Sequence, residues 1–156
     1  MKIEEEIKQP KFRDPFQKAV INLLFTASWM QSQNQEFFKN YGITAHQFNI
    51  LRILKGQHPQ SISATEIKSR MLDKNSDVSR MLDRLIAKNL IIKRTCPKDK
   101  RAFDVIITDE GMDLLKSMEK FLPQRDRVMN LSEEEAVLLS DLLDKCRNVN
   151  SEVFED

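Results

Sequence analysis

Hydrophobic residues recur at helical spacing along most of the chain, and the first such segment is the longest. Asp14 is suited to cap a helix N-terminus, Pro15 to occupy its first turn, and Gly42 to end it. A helix of about 25 residues exceeds the usual length in a small domain, so a second chain is a plausible extra partner. The apolar surface is wider than one stripe and comprises Phe16, Ala19, Val20, Ile21, Leu23, Leu24, Phe25, Ala27, Trp29 and Met30.

Two capping-box patterns predict the next two helices. Thr44 with Gln47 begins a second helix, which Gly56 is expected to end. Ser63 with Glu66 begins a short third helix. Residues 73–75 are expected to close that helix, and a tight link to a fourth helix follows.

The fourth helix is predicted to begin near Asn75 or Ser76, to continue to Lys88 and to end at Asn89, which tolerates the left-handed conformation. One face is apolar at the spacing of a helix that docks on a core. The apolar set is Val78, Met81, Leu82, Leu85 and Ile86, and the opposite face carries Ser76, Asp77, Ser79, Arg80, Asp83 and Arg84.

The only strand signals follow that helix. Residues 91–95 and 102–107 favour two strands, and the proline-containing link 96–101 has hairpin length and basic residues. A further helix begins near Asp109, and Pro123 either kinks or ends it. Ser132 caps a last helix with an apolar ridge.

Composition adds limits to this helical pattern. The 156 residues are 40% hydrophobic and 31% charged, which is typical of one soluble domain, and no apolar run is long enough to span a membrane. With no signal-peptide pattern at the N-terminus, we expect a cytoplasmic protein. Cys96 and Cys146 lack the spacing of a disulfide framework or zinc site, and His46 and His58 join no catalytic pattern. We therefore expect no enzyme activity, cofactor or metal.

Charge is distributed unevenly although the net charge is only +1. Residues 66–101 carry eleven Lys or Arg against five Asp or Glu, whereas residues 108–156 carry six against thirteen. A basic middle segment favours contact with phosphates. The alternative is that these charges only solvate helix surfaces.

The predicted order of elements is that of a winged helix-turn-helix, which places one helix in the DNA major groove. On the helix over 76–88, Arg80 and Arg84 suit phosphate oxygens or guanine edges. Arg101 at the hairpin tip could enter the neighbouring minor groove, and Asp99 would orient it through a charge-assisted hydrogen bond. Taken singly, the arginines could be solvated charges and Asp99 a turn residue.

Three sequence blocks resemble the MarR family of bacterial transcription regulators. They are residues 43–51 (ITAHQFNIL), residues 77–85 (DVSRMLDRL), and the pair 99–101 (DKR) with 107–111 (ITDEG). The resemblance covers about residues 14–145, and the last two blocks are the more specific. It implies a mostly α-helical fold with a small β-hairpin wing.

The resemblance also implies a homodimer that binds an inverted repeat in double-stranded DNA. Residues 1–42 would form a lead and dimerisation helix, 43–108 the DNA-binding lobe, and 109–156 the C-terminal dimerisation helices. The family's recognition-helix contacts correspond here to Ser76, Ser79, Arg80 and Arg84, and the wing segment supplies Lys98, Asp99, Lys100 and Arg101.

Relatives in this family often leave DNA when a small aromatic or phenolic effector binds between the dimer helices and the DNA-binding lobe. We therefore expect a repressor released by an effector, and the rival hypothesis is a winged-helix adaptor that binds protein. The aromatic residues that could line the effector site between the dimer helices and the DNA-binding lobe, or could simply belong to the core, are Phe25, Trp29, Tyr41, His46 and Phe121. Cys96 is expected to be an unreactive thiol.

Overall fold

The computed structural model describes residues 1–95 and 103–148, without the side chains of Thr95 and Val128. They divide into two compact units, Met1–Leu115 and a second that begins at Lys116. The fold is mostly helical with a small antiparallel sheet, as predicted. The helices are α1 (Ile3–Glu6), α2 (Pro15–Lys39), α3 (Ala45–Gln57), α4 (Ala64–Arg70), α5 (Val78–Ala87), α6 (Asp109–Glu119), α7 (Leu122–Asp126) and α8 (Glu133–Arg147), and the strands are β1 (Ile62–Ser63), β2 (Ile91–Thr95) and β3 (Phe103–Ile107).

The predicted N-caps of α2, α3 and α4 are confirmed. Asp14 accepts a hydrogen bond from the Gln17 amide at 2.7 Å, and Ser63 accepts one from Glu66 at 3.2 Å. Thr44 and Gln47 form a complete capping box. These side chains satisfy amides that the first helical turn leaves without partners.

The prediction that Gly56 ends the second helix is wrong, because α3 continues to Gln57. His58 leaves the helix with φ −54° and ψ 135°. A residue before proline is disfavoured in the helical region, so Pro59 ends this helix.

The sheet has three strands in the order β1-β3-β2, one more than predicted. Strands β2 and β3 form the predicted hairpin, with Ile91 opposite Ile107. Strand β1 has two residues and pairs Ile62 with Val105. A two-residue strand leaves no alternation to read, which explains why the sequence pattern missed it.

Helix α5 begins at Val78, later than predicted. The Asp77 carboxylate accepts from the Arg80 amide at 3.1 Å and so caps the helix. Asn75 belongs to the preceding turn, where its amide donates to Asp73 at 2.9 Å. Asn89 has φ +58° and ends the helix in the left-handed conformation that was predicted.

The first unit has one hydrophobic core, to which α3, α4, α5 and the sheet all contribute. Its members are fully shielded from water, so they hold the helix-turn-helix against the sheet. They include Ile50, Leu51, Leu54, Ile67, Met71, Leu82, Leu85, Ile91 and Val105.

The second unit contains α7, a 3-10 turn at Arg127–Met129 and α8. Helix α6 ends at Glu119, and Pro123 lies in the first turn of α7, where proline needs no amide partner. The predicted capping box of the last helix is present between Ser132 and Glu135. Across the residues that the structure describes, no helix is both long and apolar enough to cross a bilayer.

Candidate nucleic-acid interface

Helix α5 separates apolar and polar residues onto opposite faces. Val78, Leu82 and Leu85 are buried in the core of the first unit. Ser79, Arg80, Asp83 and Arg84 are exposed on the other face. Burial of one face fixes the helix in place and leaves a polar surface free for a ligand.

Two arginines of α5 and the lysine that follows its last residue are spaced four residues apart, which places them along one side of the helix. Arg80 and Arg84 are exposed, and Lys88 donates to the carbonyl oxygen of Gly42 in the loop before α3. The last contact anchors the C-terminal end of α5. The two arginines thus project from a helix that is held at that end.

Ser76 differs from Ser79, Arg80 and Arg84 because it is half-buried. Its hydroxyl oxygen is shielded from solvent and forms no well-oriented hydrogen bond within the described residues. The Asn75 amide, followed by the nearby Ser76 hydroxyl, holds the pKa of the Asp73 carboxyl below its usual range. Contact between Ser76 and a ligand would need this hydroxyl to turn outward.

The last described pair of the hairpin is formed by Thr95 and Phe103. Lys98, Asp99, Lys100 and Arg101 lie outside the described residues, so the predicted wing contacts stay predictions. Between the two strands of the hairpin, the Lys93 ammonium lies 4.3 Å from the centre of the Phe103 ring. A cation at this distance is attracted to the face of the ring.

Side chains that sequence reasoning missed connect neighbouring elements to the helix-turn-helix. Lys93 on β2 lies 3.6 Å from the Asp83 carboxylate on α5. Asn49 and His46 on α3 contact the segment between α4 and α5. These are contacts between elements distant in sequence, which a periodicity pattern does not reveal.

A cavity of about 830 Å³ lies between the C-terminal half of α2, the start of α3 and the end of α5. None of the described residues that line it is acidic. Gln31, Asn34 and Gln35 provide amides, while Lys39, Arg84, Lys88 and His46 provide basic groups. Among the aromatic residues predicted to line a crevice, His46 does so, whereas Phe25, Trp29 and Tyr41 do not line this cavity, and Phe121 belongs to the second unit.

Two helices expose apolar residues on a single chain. On α2, the Phe16 side chain is 81% exposed to solvent, and Leu24 and Trp29 are also exposed. In the second unit, α8 exposes Val137, Leu138 and Leu142. Large apolar side chains exposed along one helix are typical of surfaces that bind another protein chain.

The described residues contain no group of three or more His, Cys, Asp or Glu side chains placed to bind a metal. Cys146 is a free, exposed thiol in α8. Cys96 lies outside the described residues, so the expectation of an unreactive thiol stays a prediction.

Comparisons with known proteins bear on the same part of the chain. The model of the MarR family matches residues 43–103, from the loop before α3 to the start of β3. The transcriptional repressor MdtR of Bacillus subtilis is 40% identical over 53% of this chain and 52% of its own length. The transcriptional regulator PecS of Dickeya dadantii is 31% identical over 68% of this chain and 66% of its own length. The chain thus matches about half to two thirds of these relatives.

A solved structure extends the likeness to nearly the whole fold. The MarR transcription factor from Planctomyces limnophilus is 29% identical to this chain, with a TM-score of 0.67. The match covers 86% of this chain and 98% of that protein. The family match, the sequence relatives and the shared fold agree, and this chain belongs to the MarR family.

Proposed function

We propose that this protein is a dimeric transcription regulator that binds double-stranded DNA by sequence and represses transcription until a small effector releases it. The observation that carries this proposal is the exposed face of α5, where Arg80 and Arg84 project from a helix whose other face is buried. A helix held in this way fits a major groove about 12 Å wide.

The residues on this face have the chemistry needed for base and phosphate contacts. Arginine donates two parallel hydrogen bonds to guanine O6 and N7, and the Ser79 hydroxyl both donates and accepts. Either arginine also suits phosphate oxygens. Arg101 of the wing is proposed to enter the adjacent minor groove, and Asp99 is proposed to orient it through a charge-assisted hydrogen bond.

A second copy of the chain is proposed to cover the exposed apolar faces of α2 and α8. Phe16, Leu24 and Leu138 are too exposed for a single chain in water. Two copies related by a two-fold axis would bind an inverted repeat, with half-sites about 10–10.5 base pairs apart or a multiple of that spacing.

The cavity beside α5 is proposed to receive the effector. Because Lys39, Arg84 and Lys88 line it without an acidic neighbour, it suits an aromatic compound that carries an acidic group. Arg84 also lies on the proposed DNA face. An effector acts only if it binds the conformation unable to hold DNA more tightly than the competent one.

The role of repressor rests on the relatives. MdtR of Bacillus subtilis, which is 40% identical to this chain over 82 residues, is a transcriptional repressor. If the operator of this protein overlaps a promoter, a bound dimer would exclude RNA polymerase and so repress transcription.

Selection from random duplex DNA tests the proposal. We expect an enriched inverted repeat, because two identical lobes contact two identical half-sites. An absence of enrichment, together with protein partners bound through α5, would favour the adaptor hypothesis. Light scattering at micromolar concentration should give twice the chain mass, and a monomer would contradict the half-site spacing.

A further inference from the structure

Two side chains of α3 hold the segment between α4 and α5. The Asn49 side-chain oxygen accepts a hydrogen bond from the Leu72 amide at 3.0 Å. His46 Nε2 lies 3.1 Å from Oδ2 of the Asp73 carboxylate. Because positions 46 and 49 are three residues apart on one helix, both side chains lie on the same face of α3.

Hydrophobic packing does little to place this segment. Met71 is 2% exposed and Val78 is buried, so the two ends are anchored in the core. Between these ends Leu72 is 89% exposed, and Asp73, Lys74, Asn75 and Asp77 are exposed as well. Hydrogen bonds must therefore determine the path of the backbone over these residues.

The hydrogen bonds continue from α3 to the first turn of α5. Asp73, which His46 contacts through Oδ2, accepts the Asn75 amide through Oδ1 at 2.9 Å. Two residues further on, Asp77 caps α5 by accepting from the Arg80 amide. The N-terminal end of α5, where Ser79 and Arg80 lie, is thus connected to α3 through short polar contacts.

We infer that Asn49 and His46 are positioning residues for DNA recognition, which aim α5 by fixing the turn that precedes it. This inference rests on the proposed DNA-binding function. Neither side chain needs to touch DNA. A change in the turn would tilt Arg80 away from the base edges while the attraction of the basic surface for phosphates remains.

We expect the alanine variants to lose affinity for the operator while their affinity for unrelated DNA stays nearly constant. Base contacts require alignment, whereas attraction to phosphates tolerates a shift of the helix. We expect Asn49→Ala or His46→Ala to weaken binding to the selected operator about tenfold. Binding to a scrambled duplex should change less than twofold.

Two conservative variants separate positioning from a general structural role. Asn49→Asp keeps an oxygen acceptor for the Leu72 amide, and His46→Gln keeps a donor for the Asp73 carboxylate. In both variants, the ratio of operator affinity to scrambled-duplex affinity should return close to the wild-type value. Asn40→Ala, at an exposed asparagine that follows α2, is the matched control and should leave this ratio unchanged.

The experiment measures both affinities by fluorescence anisotropy and amide hydrogen exchange at Leu72 for the full-length variants. Faster Leu72 exchange in Asn49→Ala together with a reduced affinity ratio supports the inference, and faster exchange with an unchanged ratio overturns it. An unchanged ratio in both alanine variants also overturns it. If the wild-type protein itself binds both duplexes equally, the proposed function fails, and with it the inference.

Discussion

The Lys93 ammonium on β2 lies 3.6 Å from the Asp83 carboxylate on α5 and so connects the wing to the proposed recognition helix. Asp83 is the one acidic residue on a helix face that also carries Arg80 and Arg84, within the described part of α5. Without a neighbouring cation, its charge would repel phosphates. Lys93 offsets this charge, and its contact with the Phe103 ring extends the connection to β3.

A double-mutant cycle tests this pairing. Lys93→Ala should weaken DNA binding, because Asp83 is then unneutralised, and Asp83→Asn should remove most of that effect. Both side chains are substantially exposed, so the coupling should be only about 0.2–1 kcal/mol. Titrations of the four proteins with one duplex give the coupling, and strictly additive effects would contradict the pairing.

Arg80→Ala should weaken operator binding by about 1–3 kcal/mol and relax the base preference at one position in each half-site. The reason is that an exposed arginine near the start of α5 is placed to read a base edge. Binding-site selection with the variant measures the preference, and an unchanged motif would remove Arg80 from base readout. Arg52→Ala, at an exposed arginine of α3, is the matched control.

Arg101→Ala should weaken binding to every duplex and reduce the salt slope by about one unit, because one cation no longer displaces counterions. Affinity measured across a range of potassium chloride concentrations gives the slope. A slope equal to that of the wild type would show that this residue contacts no phosphate. Arg147→Ala in α8 should leave it unchanged.

Gly111→Ala should lower the free energy of unfolding by about 1–3 kcal/mol. An added Cβ would lie 2.7 Å from Cγ1 of Ile107 and would also meet the carbonyl oxygen of Leu90. Gly56→Ala is the control, since nothing lies within 4 Å of its added Cβ, and it should raise stability by about 0.4–1 kcal/mol. Urea unfolding measures both, and equal effects would contradict the close packing at Gly111.

The Asp73 carboxylate should contribute to stability at neutral pH and lose that contribution in acid. The Asn75 amide, and also His46, lower its pKa below the ordinary value of 3.8. A carboxyl whose folded pKa is lowered stabilises the fold above its unfolded pKa and ceases to do so as the pH falls through the folded pKa. The difference in urea midpoint between wild type and Asp73→Asn should therefore shrink as the pH falls below about pH 4. A difference that grows in acid would contradict this assignment.

Local signals made the helix caps predictable, whereas distant contacts decided what the sequence pattern missed. Asp14, Thr44 and Ser63 each cap a helix through an amide three residues away, so the signal lies within one turn. The turn before α5 is held by Asp73, whose partner His46 is 27 residues away. No local pattern over residues 75–77 decides that the helix begins only after Asp77.

The same distinction applies to the candidate site. The exposure of Arg80 and Arg84 follows from the helical period, because Val78, Leu82 and Leu85 define the buried face. The partners of Lys93 and Asn49 depend on how β2 and α3 pack around the helix-turn-helix. The cavity likewise depends on the meeting of three helices, which explains why the aromatic residues proposed from sequence were mostly not its lining.

Methylation interference on the selected operator tests most directly whether α5 lies in the major groove. Dimethyl sulfate modifies guanine N7 in the major groove and adenine N3 in the minor groove. We predict that N7 methylation blocks binding in two clusters about one helical turn apart, or a multiple of it, on one side of the duplex. Interference confined to adenine N3, or an absence of interference at guanine, would contradict the placement of Arg80 and Arg84 against base edges.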